Sequence, residues 1–414
     1  MSSETSKSLD FDSAQKSKKI SDTVKGFKDF IGEEAEKREL IKSILVKNFK
    51  IYGFEPAETP IIEYEEFVKE ENQGDEAISD IFKLQDKGGR KLALRYEFTL
   101  QLKRITKNKK LPYKRYQIGE VFRDEPTGSN RFRQITQCDI DTIGSTVKDE
   151  AEILFLTSKI LKELGIKAVI NINNRKLLNE ILEEQKIALK DKANAIREID
   201  KLDKLPEKEI KENLKKYKAE KILEIFKKPE KYFEKYKAYE EIKELKKYCG
   251  IYKVKGNFQP SLARGLSYYN GNVFEIKTNE FKETIAAGGS YLVNNLQSTG
   301  ISFGLDRITN LEKIKLEEKK ILLISIGQDE KSIEIAEKLR DKNISVQIWS
   351  EKGISKALEY ANSLKIPYVI FLGEEEIKKK KLKLRDMKTG KEQLLNEKKL
   401  VEKLSAFCEK IFCV

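Results

Sequence analysis

A long glycine-poor stretch divides this chain of 414 residues into parts that differ in periodicity. Between about residues 174 and 249 Lys and Glu dominate and the pattern is helical. Strand-like runs precede it at 91–95, 115–122 and 131–143, and glycines return after it from Gly256 to Gly304, with a second block of strands and turns. The sequence therefore predicts a helical insertion at 174–249 inside a larger domain that contains strands.

The N-terminal part predicts a tail followed by a helix. Residues 1–22 are rich in Ser, Lys and Asp and lack the apolar core of a signal peptide, so we predict a disordered tail. Residues 33–50 carry apolar residues at helical spacing, with Glu33 and Glu34 in the first turn, where the helix dipole favours acidic groups. A second amphipathic helix is predicted at 151–164.

The C-terminal part alternates strand and helix. Apolar runs at 321–326, 344–349 and 368–372 are separated by helical patterns near 329–341 and 353–364. This order predicts a small sheet with parallel strands and helical crossovers, in a separate domain at 320–414. The basic run from Lys378 to Lys383 has two interpretations, electrostatic attraction of nucleic acid or a solvated charged loop.

Composition limits the chemistry. The chain has no histidine, which excludes Ser-His-Asp triads and histidine-containing zinc sites. Its four cysteines are far apart except for Cys408 and Cys413, and without a second close pair they predict neither disulfides nor a metal cage of protein ligands. Phosphate chemistry, which uses Arg, Lys, carboxylates and backbone amides, is favoured instead. A net charge of +13 indicates a polyanionic partner or a lysine-rich proteome. No apolar run is long enough to span a membrane, so we expect a cytoplasmic protein.

The densest polar signal lies between two strand-like runs, and it predicts an antiparallel hairpin with a long tip. Arg123 and Glu125 stand in this tip. One face of the outgoing strand carries five polar residues: Arg131, Arg133, Gln137, Asp139 and Asp141. This face is either an ordinary solvent-exposed one, or it fits a ligand with a phosphate at one end and a cationic group at the other.

Two further clusters combine glycine with ligand-binding side chains. The first, at 264–271, holds Arg264, Tyr268 and Tyr269 and ends in Asn-Gly, which is also a hairpin-turn signal. The second, at 286–291 and 300–307, predicts strand, turn, strand and the start of a helix, where glycines permit close approach of a ligand to the backbone.

In this order the segments resemble one family. The hairpin, with sequence FRDEP at 122–126 and RFRQ at 131–134, is similar to motif 2 of class II aminoacyl-tRNA synthetases, and GISFGLDR at 300–307 is similar to motif 3. The remaining segments resemble histidyl-tRNA synthetases: KGFKDFIG at 25–32, LALRYEFT at 92–99, QCDIDTIG at 137–144 and RGLSYY at 264–269. The likeness covers about residues 24 to 400.

The resemblance implies a fold, a reaction and partners. The fold would be α+β: a class II antiparallel sheet flanked by helices, with catalytic parts at 23–173 and 250–312, the insertion at 174–249 and an α/β anticodon-binding domain at 320–414. The reaction would be ATP-dependent ligation of L-histidine to its tRNA through a histidyl-adenylate, with Mg²⁺ assisting, in a homodimer.

The resemblance also implies roles for individual residues. The amino group of histidine would be held by Glu97, Thr99 and Gln137. The imidazole would be bound by Asp141 and Tyr269, with Tyr268 lining the pocket. ATP would be bound by Arg123 at the α-phosphate, Arg131 and Arg307 at the distal phosphates, and Glu125 on the adenine side. Arg264 would stabilise charge between the histidine carboxylate and the α-phosphate, which makes Arg264 and Arg123 the catalytic pair.

Three positions depart from the family pattern, and three alternatives stay open. Ser267 and Leu292 replace acidic residues, and Ser290 replaces arginine. The main alternative is a non-catalytic paralogue acting as a regulatory subunit of histidine biosynthesis, which would be expected to lack the ATP-binding arginines and the C-terminal domain. A synthetase for another amino acid and a tRNA-sensing pseudo-synthetase are the others.

Overall fold

The computed structural model describes residues 22–71, 80–128, 131–264, 268–278, 281–311, 320–351 and 353–410. These residues fall into two compact units, divided after residue 314. Except for Asp22 the predicted tail lies outside the described residues, as do Ser267 and most of the charged stretch that follows residue 311. Within the described part of the chain, no helix is long and apolar enough to cross a membrane.

The first unit is built on an eight-stranded sheet and a three-stranded one. Its strands are β1 (Glu55–Pro56), β2 (Ile62–Tyr64), β3 (Lys83–Gln85), β4 (Lys91–Leu94), β5 (Tyr113–Phe122), β6 (Gln134–Ile143), β7 (Ala168–Asn174), β8 (Gly256–Phe258), β9 (Tyr269–Thr278), β10 (Phe281–Val293) and β11 (Leu296–Gly304). The large sheet has the order β1-β5-β6-β11-β10-β9-β7-β8 and the small one β2-β4-β3. The large sheet is antiparallel except at its edges, where β1 and β8 pair in parallel, so the predicted antiparallel sheet is confirmed.

Helices cover this sheet and form the insertion. They are α1 (Gly32–Ile51), α2 (Glu65–Glu71), α3 (Leu102–Ile105), α4 (Val147–Glu163), α5 (Arg175–Glu184), α6 (Leu189–Asp200), α7 (Glu207–Lys215), α8 (Ile222–Phe226), α9 (Tyr239–Ile251) and α10 (Leu305–Leu311). The predicted first helix is confirmed, and Gly53 with φ +78° follows its end. The second begins earlier than predicted, because Thr146 and Asp149 form a capping box there.

The core lies between the sheet and these helices. Phe49 of α1 and Leu154 of α4 pack in one cluster with Cys138 and Ile140, which lie on one face of β6. Since side chains alternate along a strand, the polar residues of β6 lie on the other face of the sheet. Asp139 and Asp141 are nevertheless 5% and 4% exposed, so the alternative of a solvent-exposed polar face is wrong for them.

The turn between β10 and β11 is made by Asn294 and Asn295. Their φ angles of +49° and +63° are those of a tight two-residue hairpin turn. The pair Asn270-Gly271, whose sequence is also typical of a hairpin turn, lies within β9 and not in a turn. Gly271 packs closely there, because a Cβ would stand 3.1 Å from that of Ser290.

The second unit is a five-stranded sheet with helices. Its strands are β12 (Ile321–Ser325), β13 (Val346–Trp349), β14 (Tyr368–Leu372), β15 (Leu382–Asp386) and β16 (Glu392–Leu395), and its helices are α11 (Asp329–Arg340), α12 (Ile354–Ser363), α13 (Glu374–Lys378) and α14 (Glu397–Lys410). The order is β13-β12-β14-β15-β16, and the first three strands are parallel, as predicted. The lysine run is not one loop: it passes from the end of α13 into antiparallel β15.

Candidate active site

The hairpin of β5 and β6 forms one side of the candidate site. Its strands pair from Tyr113↔Ile143 to Phe122↔Gln134, and the tip is closed by a bridge between Gly128 and Arg131. The pairing places Arg115 opposite Asp141. The two residues at the very end of the tip, 129 and 130, lie outside the described residues.

A row of paired residues across four strands makes the floor. Arg115, Asp141, Gly300 and Gly289 stand side by side on β5, β6, β11 and β10. The glycines leave room for their neighbours: a Cβ on Gly300 would lie 2.1 Å from Asp141 Oδ1, and one on Gly289 would lie 2.9 Å from the ring of Tyr269. Only glycine permits these two side chains to lie against the sheet.

Asp141 is held from two sides. The Nη2 of fully buried Arg115 lies 2.8 Å from Asp141 Oδ2, and the Tyr291 hydroxyl donates to Oδ1. Burial raises the pKa of Asp141, and the charge of Arg115 opposes this. The Asp141 carboxylate is therefore fixed in orientation before any ligand arrives.

A second buried carboxylate, Glu97, stands beside the tyrosines. It is 4% exposed, and its Oε2 accepts a hydrogen bond of 3.2 Å from the Tyr268 hydroxyl, which also hydrogen-bonds Thr99. Glu97 Oε1 is buried without a hydrogen-bond partner. Burial raises the pKa of Glu97 to about 7, although the nearby positive charge of Arg123 acts to lower it.

Asp139 and Gln137 add two more unpartnered oxygens. Gln137 Nε2 donates to Ser302 Oγ at 2.5 Å, whereas Gln137 Oε1 and Asp139 Oδ1 are buried without partners. Burial raises the pKa of Asp139 to about 7, against the opposing charge of Arg115. Buried polar atoms are normally hydrogen-bonded, so these oxygens and Glu97 Oε1 mark a place for a donor.

Three tyrosines pack together at this place. The ring centroids of Tyr268 and Tyr269 are 4.8 Å apart, and Tyr268 meets Tyr291 edge-on at 5.5 Å. Burial raises the pKa of Tyr269 to about 12 and that of Tyr268 and Tyr291 well above the ordinary value. At neutral pH the three hydroxyls are therefore protonated and can donate.

The hairpin carries the cationic end of the site. The Arg123 guanidinium lies over the Tyr96 ring, 4.5 Å from its centroid, and its Nε is buried without a hydrogen-bond partner. Glu125 is engaged by Arg131, whose Nε donates at 2.8 Å and whose side chain is 50% exposed. Arg131 therefore lies at the solvent side of the hairpin rather than among the buried residues.

Arg264 and Arg307 are each held by a hydrogen bond to a neighbouring residue. Arg264 Nη1 donates to Glu275 Oε1 at 3.2 Å, and its Nε is buried without a hydrogen-bond partner. Arg307 Nη1 donates to the carbonyl oxygen of Thr284. The charge of Arg264 acts on Tyr269, and the charges of Glu97 and Asp141 act there too, so this arginine and the carboxylate pocket adjoin.

Sequence reasoning found most of these side chains but missed several that hold them. Asp139 stood on the predicted polar face without a role, and the support given by Arg115, Tyr291 and Glu275 was not predicted. Arg115 could have been found by counting pairs outward from the hairpin tip, because it falls opposite Asp141. No local signal marks Tyr291 or Glu275.

Known proteins resemble the chain along most of its length. Residues 26–308 match the family model described as histidyl-tRNA synthetase, and residues 320–407 match that described as anticodon binding domain. A curated relative from Bacillus cereus, histidine–tRNA ligase 1, is 34% identical, covering 89% of this chain and 94% of its own. The histidine–tRNA ligase of Helicobacter pylori is 32% identical, with coverage of 88% and 93%.

Solved structures share the fold. The crystal structure of histidyl-tRNA synthetase from Nostoc aligns with a TM-score of 0.80 at 22% identity, covering 93% of this chain and 99% of that one. A Bacillus halodurans protein described as an ATP phosphoribosyltransferase regulatory subunit/histidyl-tRNA synthetase aligns with a TM-score of 0.71 at 20% identity, covering 83% and 96%. Because both sequence identities are low, the similarity to these two structures supports the fold alone.

Proposed function

This chain belongs to the histidyl-tRNA synthetase family, and we propose that the site described above activates histidine with ATP. The chain ligates histidine to its tRNA: the family models and the curated ligases that span nearly all of it agree on this activity. The alternative of a non-catalytic regulatory subunit is not favoured, because the relatives are ligases and the arginines Arg123, Arg264 and Arg307 are present.

The observation that carries the proposal is the set of three buried, unpartnered oxygens on Glu97, Gln137 and Asp139. An α-ammonium group has three N–H donors, one for each oxygen, and a positive charge that complements the two carboxylates. We assign the amino group of histidine to Glu97, Thr99 and Gln137, and add Asp139 to them. Two carboxylates with a pKa of about 7 favour a cationic ligand over a neutral one.

The imidazole ring is assigned to Asp141, Tyr268 and Tyr269. Asp141 is held by Arg115 and Tyr291, so the direction in which it accepts an N–H is fixed. Tyr269 lies against Gly289 and keeps its proton, which suits it to donate to a ring nitrogen. Tyr268 forms the wall between the ring and Glu97.

ATP is assigned to the arginines and to Glu125. Arg123 binds the α-phosphate, and Arg131 and Arg307 bind the distal phosphates. Glu125 lies on the adenine side. Because Arg131 holds Glu125 in the unliganded hairpin, nucleotide binding must separate them or bridge them. An oxygen of the histidine carboxylate then forms a bond to the α-phosphorus while the bond to the bridging oxygen breaks and pyrophosphate leaves.

Arg264 stabilises the charge that develops between the carboxylate and the α-phosphate. The attacking carboxylate is ionised at neutral pH, so this step needs orientation and positive charge rather than a titrating base. In the second step the terminal ribose hydroxyl of the tRNA attacks the carbonyl carbon of the histidyl-adenylate, and AMP leaves. A histidine side chain is not required in either step.

Magnesium is proposed as the companion of ATP, where it supplies neutralising charge on the phosphates. Both carboxylates beside the arginines are already paired, Glu125 with Arg131 and Glu275 with Arg264. The ion would therefore be held by the phosphates and water, as is common for Mg²⁺, rather than by a cage of protein ligands.

The wider assignments are also proposals. We propose catalytic parts at 23–173 and 250–312, an insertion at 174–249, an anticodon-binding domain at 320–414 and a cytoplasmic location. We also propose a homodimer, supported by exposed apolar side chains at the end of α1 and the start of β2: Ile51, Ile61 and Ile62. Sedimentation equilibrium tests the dimer, which is refuted by a monomer at micromolar concentration.

Histidine-dependent ATP–pyrophosphate exchange tests the activity. The purified protein should exchange label only when histidine is present. Arg264→Ala should lower the rate by about 100- to 1000-fold, the scale found when one transition-state donor is removed, while the fold is kept. An inactive wild-type protein that still binds tRNA would refute the catalytic proposal, and a fully active variant would refute the role of Arg264.

A further inference from the structure

A chain of alternating charges leads away from Arg264. It runs from Arg264 to Glu275, from Glu275 to Lys277 and from Lys277 to Asp203. The first separation is 3.2 Å, the second 3.1 Å and the third 2.5 Å. The chain thus joins the proposed catalytic arginine to the helical insertion, in which Asp203 ends a 3₁₀ turn.

Glu275 is the centre of this chain and is buried, with 3% exposure. Its Oε1 accepts hydrogen bonds from Arg264 Nη1 and from the Thr284 hydroxyl, and its Oε2 faces Lys277. A buried carboxylate needs such partners, and the half-buried Arg264 guanidinium supplies the counter-charge. Each of the two groups stabilises the other before any ligand binds.

Thr284 connects this carboxylate to a second arginine. Its hydroxyl donates to Glu275, and its backbone carbonyl accepts from Arg307 Nη1. Arg264, which precedes β9, and Arg307, which lies in α10, therefore share one anchor. A shift of Glu275 would disturb both of them at once.

The contacts leave part of Arg264 available. Glu275 takes Nη1, while Nε is buried and has no hydrogen-bond partner. A long arginine side chain loses much rotamer freedom when it is fixed in one orientation, and a group fixed beforehand does not lose that freedom at the moment of reaction. The geometry favours a guanidinium that is already oriented, with Nε directed to a ligand.

We propose that Glu275 is a positioning residue that orients Arg264 and, through Thr284, Arg307. This inference rests on the proposed role of Arg264 and goes beyond it by naming what holds that arginine in place. Glu275 contacts no substrate: it acts through the two arginines. Lys277 and Asp203 extend the same anchor to the insertion.

The test is Glu275→Gln, which keeps size and hydrogen bonding but removes the charge. Histidine-dependent exchange, measured with labelled pyrophosphate so that slow variants remain measurable, should show kcat lowered by about 10- to 100-fold, the usual effect of a misplaced group. The KM for histidine should change less than about twofold, because the carboxylate pocket is untouched. A merely structural role would lower the unfolding midpoint without this separation between the effect on kcat and the effect on KM.

The double variant with Arg264→Ala separates action through Arg264 from action elsewhere. If Glu275 acts mainly through Arg264, adding Glu275→Gln to Arg264→Ala should lower the rate much less than Glu275→Gln does alone, and the remaining effect is that of Arg307. Effects that multiply in full, or a Glu275→Gln variant as fast as the wild type, would overturn the inference. Wild-type protein without exchange would instead overturn the proposed function, and this inference with it.

A matched control is Glu163→Gln. Glu163 accepts a hydrogen bond of 2.9 Å from Asn48 at the end of α4, and an amide oxygen can accept it equally. The substitution is the same and the residue belongs to the same unit, but it is outside the site. This control should keep the wild-type kcat, and a loss equal to that of Glu275→Gln would overturn the positioning role.

Discussion

Replacing Glu97 by Gln should stabilise the fold at high pH and weaken the binding of histidine. Burial raises the pKa of Glu97 from 4.5 to about 7, which means that the folded protein holds the proton more tightly than the unfolded chain does. Such a group stabilises the fold fully below the unfolded pKa, and this contribution is lost as pH rises towards the folded pKa. Replacing Glu97 by Gln removes the titration and keeps the shape.

The magnitude follows from the two pKa values. Raising the pKa from 4.5 to about 7 makes ionisation of the buried group about 3.4 kcal/mol harder, at about 1.36 kcal/mol per pKa unit. Near pH 5.5 the wild type has lost about 1.4 kcal/mol of this contribution to its stability, and near pH 8 it has lost almost all of the contribution. The stability of Glu97→Gln relative to the wild type should therefore rise by about 2 kcal/mol between these two pH values.

Urea unfolding of both proteins at the two pH values measures this difference. Glu97→Asp is the matched control, because a carboxyl group still titrates there. Histidine added near pH 8 should stabilise the wild type by mass action and Glu97→Gln far less, with an affinity lowered by about 10- to 100-fold for one charged hydrogen bond. A difference in stability that is the same at both pH values would refute the reasoning.

Three further predictions concern the close contacts, or the open space, around single residues. Gly300→Ala should destabilise the fold by about 2–3 kcal/mol in urea and raise the KM for histidine, because the new Cβ would lie 2.1 Å from Asp141 Oδ1; wild-type kinetics would contradict this. Gly250→Ala, in α9 with no atom within 4 Å, should instead stabilise by about 0.5–1 kcal/mol. Asp306→Asn should lower the unfolding free energy by about 3 kcal/mol, because Asp306 lies 2.5 Å from Nη1 of the buried Arg38; an unchanged urea midpoint would contradict it.

Sequence reasoning was sufficient for local elements and insufficient for their pairing. The first helix, the β5–β6 hairpin and the parallel strands of the second unit follow from periodicity and turn residues. Alternation also identified the face that carries Asp139, but it could not decide between solvent and a buried site. That depends on β11 pairing with β6, which joins residues more than 150 positions apart.

The roles of the site residues were predicted from the resemblance to a family rather than from the sequence pattern. The residues that support the site residues were predicted from neither. Arg115 and Glu275 occupy ordinary strand positions, and their importance arises from what lies opposite or beside them. The antiparallel strands β15 and β16 were missed for another reason. In β15 the buried Leu382 and Leu384 alternate with Lys383 and Arg385, but this short pattern follows directly on a run of lysines, and β16 is mostly exposed and shows no such alternation.

The oriented pair of Asp141 and Tyr269 in a chain without histidine has a spectroscopic consequence. In the complex the substrate would carry the sole histidine side chain, so ¹⁵N-labelled histidine could be observed by NMR without overlapping imidazole signals from the protein. The ¹⁵N shifts of that ring would report which nitrogen bears the proton, a property that coordinates do not reveal. The ligand thus becomes a reporter of the electric field that the buried carboxylates create.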